Sequence, residues 1–374
     1  MSFPISRFGA RISGARLARA ARSPQWRDGK FQNRRPRVDG PIIKGMWKFA
    51  FGGSPDRKPS TPVPVVARTR TDYDSPPESG LRVTWLGHST IVLEIDGRRV
   101  LIDPVWSARA SPVSFAGPTR FYPSPLPIDE LPALDLVLLS HDHADHLDPS
   151  AIRTLAARGA RFVAPLGVGA HLEAWGVPPA RITELDWWEA TEVAGLTLTA
   201  TPARHFSGRG IGGNNRTLWA GWVVAGPEHR VLYSGDTALD DALVEIGERF
   251  GPFDLTMIEA GAYDALWADV HLGPEQAVRA HRLVRGDVML PVHWGLFDLA
   301  LHGWTEPIER VLAAARAEGV RVIAPRPGEL AEPSTFGAPA RWWPDLPWRS
   351  ATEAPVRSTG VATLMDPLPP EPAR

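Results

Sequence analysis

The stretch LSHDHADHLD, residues 139–148, places His141, His143, Asp145 and His146 within six positions, directly after the apolar run Leu134 to Leu139. That run is short, continuous and bounded by Pro132, which predicts a buried strand. The polar cluster then lies at the carboxyl end of a strand, where open α/β sheets place their ligands. Residues two apart in an extended segment point the same way, so His141 and His143 reach one ion, while the following turn aims Asp145 and His146 at a second. Imidazoles and carboxylates without thiolates suit zinc first, with manganese or iron as alternatives. A solvated loop opening a helix, with Asp148 as N-cap before Pro149, accounts for the cap and for none of the three histidines.

Four ligands do not close two metal sites, and three further strand ends supply more. His205 follows Leu196 to Thr201, Asp236 follows Val231 to Ser234 in a Ser-Gly-Asp turn, and His293 follows Val288 to Val292. A lone histidine at a strand end is usually a hydrogen-bonded structural residue. Three such positions in chain order after His-x-His-x-Asp-His make a second set of ligands the better reading.

The rest of the chain is consistent with one large domain carrying appendages. Its 374 residues include no cysteine, which excludes disulfides, iron–sulfur centres and thiol nucleophiles. No apolar run approaches the ~18 residues of a membrane span. Net charge is −1, yet residues 1–50 carry twelve Arg or Lys against Asp28 and Asp39. Ile5, Phe8 and Ile12 fall at helical spacing, with Arg7 and Arg11 on another face. This predicts a short basic amphipathic helix within residues 1–27 that contacts an anionic membrane surface. A targeting segment or a solvated tail fits the same composition. Residues 53–80 are Pro- and Ser-rich, so 1–80 is read as arm and linker, 81–327 as the compact domain, and 328–374 as a Pro-rich extension that becomes disordered near Thr352. Within the domain, strands outnumber helices and helices recur throughout, which favours two sheets with helices on both outer sides. A tight hairpin turn is predicted at Asp96-Gly97. The long loop from Val105 to Pro132 is read as functional. His88 is assigned to fixing a turn or a carboxylate, and His171, His229 and His281 to the surface. His302 is left open. Trp187, Trp188 and Trp267 are read as core or as the lining of an acyl-chain groove.

In this pattern the chain resembles the metallo-β-lactamase superfamily over roughly Leu81 to Pro327. The resemblance implies an αββα sandwich of two mixed sheets holding two Zn²⁺, with manganese or iron as substitutes. By position, it makes His141, His143 and His205 ligands of the first metal, Asp145, His146 and His293 ligands of the second, and Asp236 a bridge. TWLGHST (84–90), the stretch 103–125, ELDWWE (184–189), RFGPFDL (249–255), GAYDALW (261–267) and PVHWGLF (291–297) are similar to a narrower group. These are the N-acylphosphatidylethanolamine-hydrolysing phospholipase D proteins and their bacterial relatives. That likeness implies hydrolysis of lipid phosphodiesters by a hydroxide shared between the ions, with catalytic roles for Asp145 and His271, the latter facing the phosphate. Ala144 and Ala238-Leu239 depart from the group's pattern beside the metals. The implied partner is a lipid or amphiphilic small molecule. The implied location is cytoplasmic, with the arm touching the inner face of the membrane. Nucleic acid is not expected, because the core lacks a basic groove, and a homodimer stays open. A lactonase or other carboxylic ester hydrolase on the same metals is the competing enzyme reading, and a membrane-associated scaffold with a vestigial site the non-enzyme one.

Overall fold

In the strand Ile91–Ile95 (β4), Ile91, Leu93 and Ile95 enter one apolar cluster and Val92 enters another. The same alternation holds in Arg98–Ile102 (β5) and Leu136–Leu138 (β6). Successive strand residues point to opposite faces, so a strand covered on both sides reads as a continuous apolar run. This is why the sequence around 134–139 shows no polar alternation. The computed structural model describes residues 7–38, 40, 52–210 and 214–366.

Two seven-stranded mixed sheets form the centre. Leu330–Ala331 (β16) flanks the first, whose order continues through Leu81–Trp85 (β3), β4, β5, β6, Phe162–Pro165 (β7) and Ile182–Leu185 (β8). The second runs from Arg321–Val322 (β15) through Gly286–Val292 (β14), Phe253–Glu259 (β13), Arg230–Tyr233 (β12), Gly221–Ala225 (β11) and Leu196–Thr201 (β10) to Ala190–Val193 (β9). Antiparallel pairing from β3 to β5 gives way to parallel pairing from β5 to β8, and β10 to β12 and then β12 to β15 repeat this change. Trp85, Leu138, Leu198, Trp222, Tyr233 and Leu290 lie in the cluster between the sheets. The helices Pro149–Ala157 and Gly169–Ala174 cover the outer face of the first sheet through Ile152, Leu155 and Leu172. Ala242–Phe250, Pro274–Leu283 and Glu306–Glu318 cover the second through Ile246, Val278 and Val311. The αββα sandwich is thus the observed fold. The repeated strand pattern brings the carboxyl ends of β5, β6, β10, β12, β13 and β14, and the β3–β4 turn, to one edge.

The amphipathic arm helix expected within residues 1–27 differs from what is found. Ile5 lies outside the described residues, and the described helix is Gly14–Ala20. It is followed by a hairpin of Trp26–Arg27 (β1) and Lys30–Phe31 (β2). Ala20 and Phe31 are fully buried against the domain. Arg16 pairs with Glu173 and Glu184, Arg19 with Glu189, Arg34 with Glu245 and Arg35 with Asp241. These arginines complement acids of the domain, so the arm is not electrostatically separate. The disorder expected beyond Thr352 is also corrected. Ser358 and Val361 are buried, and Thr359 donates its amide to Asp269 Oδ1 at 2.8 Å. Among the described residues no helix is long and apolar enough to cross a membrane.

Candidate metal centre

Two groups of ligand atoms meet at the shared edge. His141, His143, His205 and Asp236 form the first. The Nε2 of His141 is 2.9 Å from Nδ1 of His143, which is 3.2 Å from Nε2 of His205. Asp145, His146 and His293 gather with His88 in the second. Asp236 Oδ2 stands between the groups, 3.1 Å from Nε2 of both His146 and His293, 3.7 Å from that of His141 and 3.6 Å from that of His205. The turn that presents it depends on Gly235, whose φ is +58° and where a Cβ would lie 2.6 Å from the Ala220 carbonyl oxygen. His88, Asp103 and His293 also have left-handed φ of 54°, 40° and 66°. Such strain in non-glycine residues collects at functional sites.

Outer partners decide which ring nitrogen carries the proton. Ser140 Oγ gives its one hydrogen to Asp103 Oδ2 at 2.5 Å, so at 2.9 Å it accepts from Nδ1 of His141. His205 donates Nδ1–H to the Val270 carbonyl at 3.0 Å, and His146 donates Nδ1–H to Asp103 Oδ2 at 2.7 Å. Each bond leaves an Nε2 lone pair facing the centre. Asp103, fully buried, also accepts from Ser140 N and the Tyr233 hydroxyl. His88 Nε2 is 3.0 Å from Asp145 Oδ2, and its carbonyl accepts from His293 N at 2.9 Å. It fixes a carboxylate and a turn, as read from the sequence.

Burial pushes His141, His143 and His205 below the usual imidazole range, which leaves them neutral with lone pairs to give. Burial also opposes charge on His146 and His293, but Asp236 and Asp145 outweigh it. They hold His146 well above its ordinary value and push His293 up to about 10. For Asp145 and Asp236 burial raises the carboxyl, and His146 is the largest influence that reverses this and keeps both low. The carboxylates thus favour positive charge beside His146 and His293, which is where a divalent cation would sit. His146 Nε2, His293 Nε2 and Asp236 Oδ1 are buried without a hydrogen-bond partner. A buried polar atom left so costs about 1–3 kcal/mol. Imidazole nitrogens and a carboxylate oxygen of this kind fit zinc, manganese or iron.

All seven sequence-predicted ligands are brought together, and His271 joins them. Its Nδ1 is 2.7 Å from Glu259 Oε2 and 4.0 Å from Asp236 Oδ2. Several other assignments change. His171 and His281 are buried, not on the surface: His171 Nε2 is 3.2 Å from Asp142, and His281 Nδ1 is 2.7 Å from Thr256 Oγ1. His229 is half-buried against Asp96 at 2.6 Å, and His302, which belongs to neither ligand group, stacks on Tyr263 with ring centroids 4.4 Å apart. Trp187 is core, donating to the Trp219 carbonyl, and Trp188 stacks on Phe250. Asp103 and Glu259 are site residues that the sequence reading did not single out. Each is an acid directly after or at the end of an apolar strand, the same signal that singled out Asp236.

The sequence profile of the Beta-lactamase superfamily domain matches residues 98–294. An uncharacterized protein of Mycobacterium tuberculosis is 46% identical over 332 residues, 86% of this chain and 87% of that protein. N-acyl-phosphatidylethanolamine-hydrolyzing phospholipase D 1 of Caenorhabditis elegans is 39% identical over 249 residues, 63% of this chain and 69% of that protein. Among solved structures, Igni18, a metallo hydrolase of the archaeon Ignicoccus hospitalis, shares the fold with a TM-score of 0.53 at 23% identity, over 67% of this chain and 97% of that one. By profile, relatives and fold together, the chain belongs to the metallo-β-lactamase superfamily, among its metal-dependent hydrolases.

Proposed function

We propose that the protein hydrolyses a phosphodiester bond of a lipid, in the manner that the name of its Caenorhabditis elegans relative describes, with two zinc ions as cofactor. The observation that carries this reading is the placing of Asp236 Oδ2 within 3.1–3.7 Å of four imidazole nitrogens from both ligand groups. One carboxylate shared in this way suits a pair of ions. Two such ions supply a water acidified toward neutrality and positive charge for the phosphoryl oxygens.

The chain's own residues do the rest. Glu259, fully buried, accepts Nδ1–H of His271 and leaves Nε2 as the ring nitrogen free to meet a substrate oxygen. The His271 side chain is 13% exposed where those of His141, His146, His205 and His293 are at most 1%, so it faces the mouth. From there Nε2, carrying a proton taken from the attacking water, holds a phosphoryl oxygen and returns that proton to the departing alkoxide. Half-exposed Phe206, its ring 4.5 Å from that of His143, and Trp267, four positions before His271, offer apolar surface to an acyl chain. Trp187 is excluded from that role by its burial in the core. The loop 105–132 borders the same edge, Trp106 and Ser107 donating their amides to Asp148.

N-acylphosphatidylethanolamine, a carboxylic ester with the same chains and a short lactone, assayed side by side, test the reading. Release of N-acylethanolamine and phosphatidic acid is expected, with His271→Ala lowering that turnover by about 100-fold or more and leaving metal content unchanged. Turnover of the lactone alone would replace the phosphodiester reading with the lactonase one.

A further inference from the structure

We propose that Asn33 is a positioning residue of the metal centre, reaching from the N-terminal arm to hold the backbone of His205. The side-chain amide of Asn33 donates Nδ2–H to the His205 carbonyl at 2.8 Å, and its Oδ1 accepts the His205 amide hydrogen at 3.0 Å. The two residues are 172 positions apart in the chain. Asn33 thus pairs with both backbone polar groups of a residue that is fully buried. Buried backbone groups are almost always paired, so Asn33 both satisfies them and fixes the peptide planes on either side of His205.

The arm is itself anchored where Asn33 needs it. Two positions earlier, Phe31 donates its amide to the Asn215 carbonyl at 2.7 Å, and Phe31 is fully buried. Beyond Asn33, the Pro36 carbonyl accepts from Arg204, and Val38 donates its amide to Asp269 Oδ2 at 2.9 Å. Arg204 and Asp269 form a buried ion pair at 2.8 Å, on the loops that carry His205 and His271 respectively. The imidazole is held separately, by Val270. His205 is therefore set by two devices, one for its ring and one for its backbone, and Asn33 is the second. A side chain that orients a ligand in this way typically accounts for about 10- to 100-fold in metal affinity. Both described hydrogen bonds of Asn33 go to His205 of the first ligand group.

This inference rests on His205 being a metal ligand, and one titration separates the two claims. Full-length, metal-stripped protein is titrated with Zn²⁺ by calorimetry as wild type, Asn33→Ala, Asn33→Asp and Arg16→Ala. Arg16 also docks the arm, on Glu173 and Glu184, but touches no ligand. Wild type should bind two ions. Asn33→Ala should weaken one of them by about 10- to 100-fold and leave the other unchanged. Asn33→Asp, which keeps the acceptor for the His205 amide and loses the donor, should fall between, and it serves as the test if the alanine variant does not fold. Arg16→Ala should match wild type. Unchanged isotherms in both Asn33 variants, or equal weakening at both sites or in Arg16→Ala, would overturn the positioning role. A folded wild type that binds less than one ion would overturn the metal centre itself, and the clamp with it.

Discussion

Asp236→Ala is expected to abolish activity, lowering kcat/KM by about a thousandfold or more, because several kcal/mol of Lewis-acid stabilisation is lost. Among the ligands it alone approaches imidazoles of both groups, at 3.1–3.7 Å, so its removal loosens two ions rather than one. It also removes the negative charge, 3.1 Å from His146 and His293, that offsets the charge of a bound cation. His143→Ala, by comparison, removes a ligand from the first group only. Metal analysis beside kinetics checks this: the Asp236 variant should lose ions from both groups, and the His143 variant chiefly from one. Near-normal activity and metal in Asp236→Ala would remove the shared carboxylate from the account.

Replacing Asp103 by Ala is the substitution expected to cost most in stability, about 3–5 kcal/mol, the usual loss when one partner of a buried charged network is deleted. Four donors converge on this fully buried carboxylate: the Ser140 amide and hydroxyl, His146 Nδ1 and the Tyr233 hydroxyl. They come from the ends of β6 and β12, one strand in each sheet, so the side chain ties the sandwich together beside the ligand residue His146. The methyl group of alanine leaves all four unpaired. Urea unfolding measures the loss, and a change below about 1 kcal/mol, the worth of a single ordinary hydrogen bond, would show that the network is not cooperative.

Much of this was legible in the chain because the strands are buried on both faces and therefore appear as unbroken apolar runs. The run 134–139 and its histidines, and the ends at His205, Asp236 and His293, were readable for that reason. The Asp96-Gly97 turn was readable for another: φ values of 49° and 75° demand such residues. What escaped was set by contacts distant in sequence. β9 alternates exposed and half-buried residues at the sheet's edge, β8 is largely half-buried, and β16 is two residues long, so none shows an apolar run. The arm was misread because Ala20 and Phe31 are isolated apolar residues whose burial comes from the domain, and its arginines find acids more than 150 positions away. His171 and His281 fall on helices whose sequence gives no sign that their partners, Asp142 and Thr256, wait beneath them.

The central claim is that two clusters of side chains at one edge of the sandwich hold two metal ions through a common carboxylate. The most direct measurement is the transition-metal content of the folded, unchelated protein, by mass spectrometry of the elements against protein concentration. Close to two ions per chain is the expected result, falling toward zero after a chelator and returning with added Zn²⁺. A folded sample holding well below one ion per chain, and taking up none on addition, would contradict it.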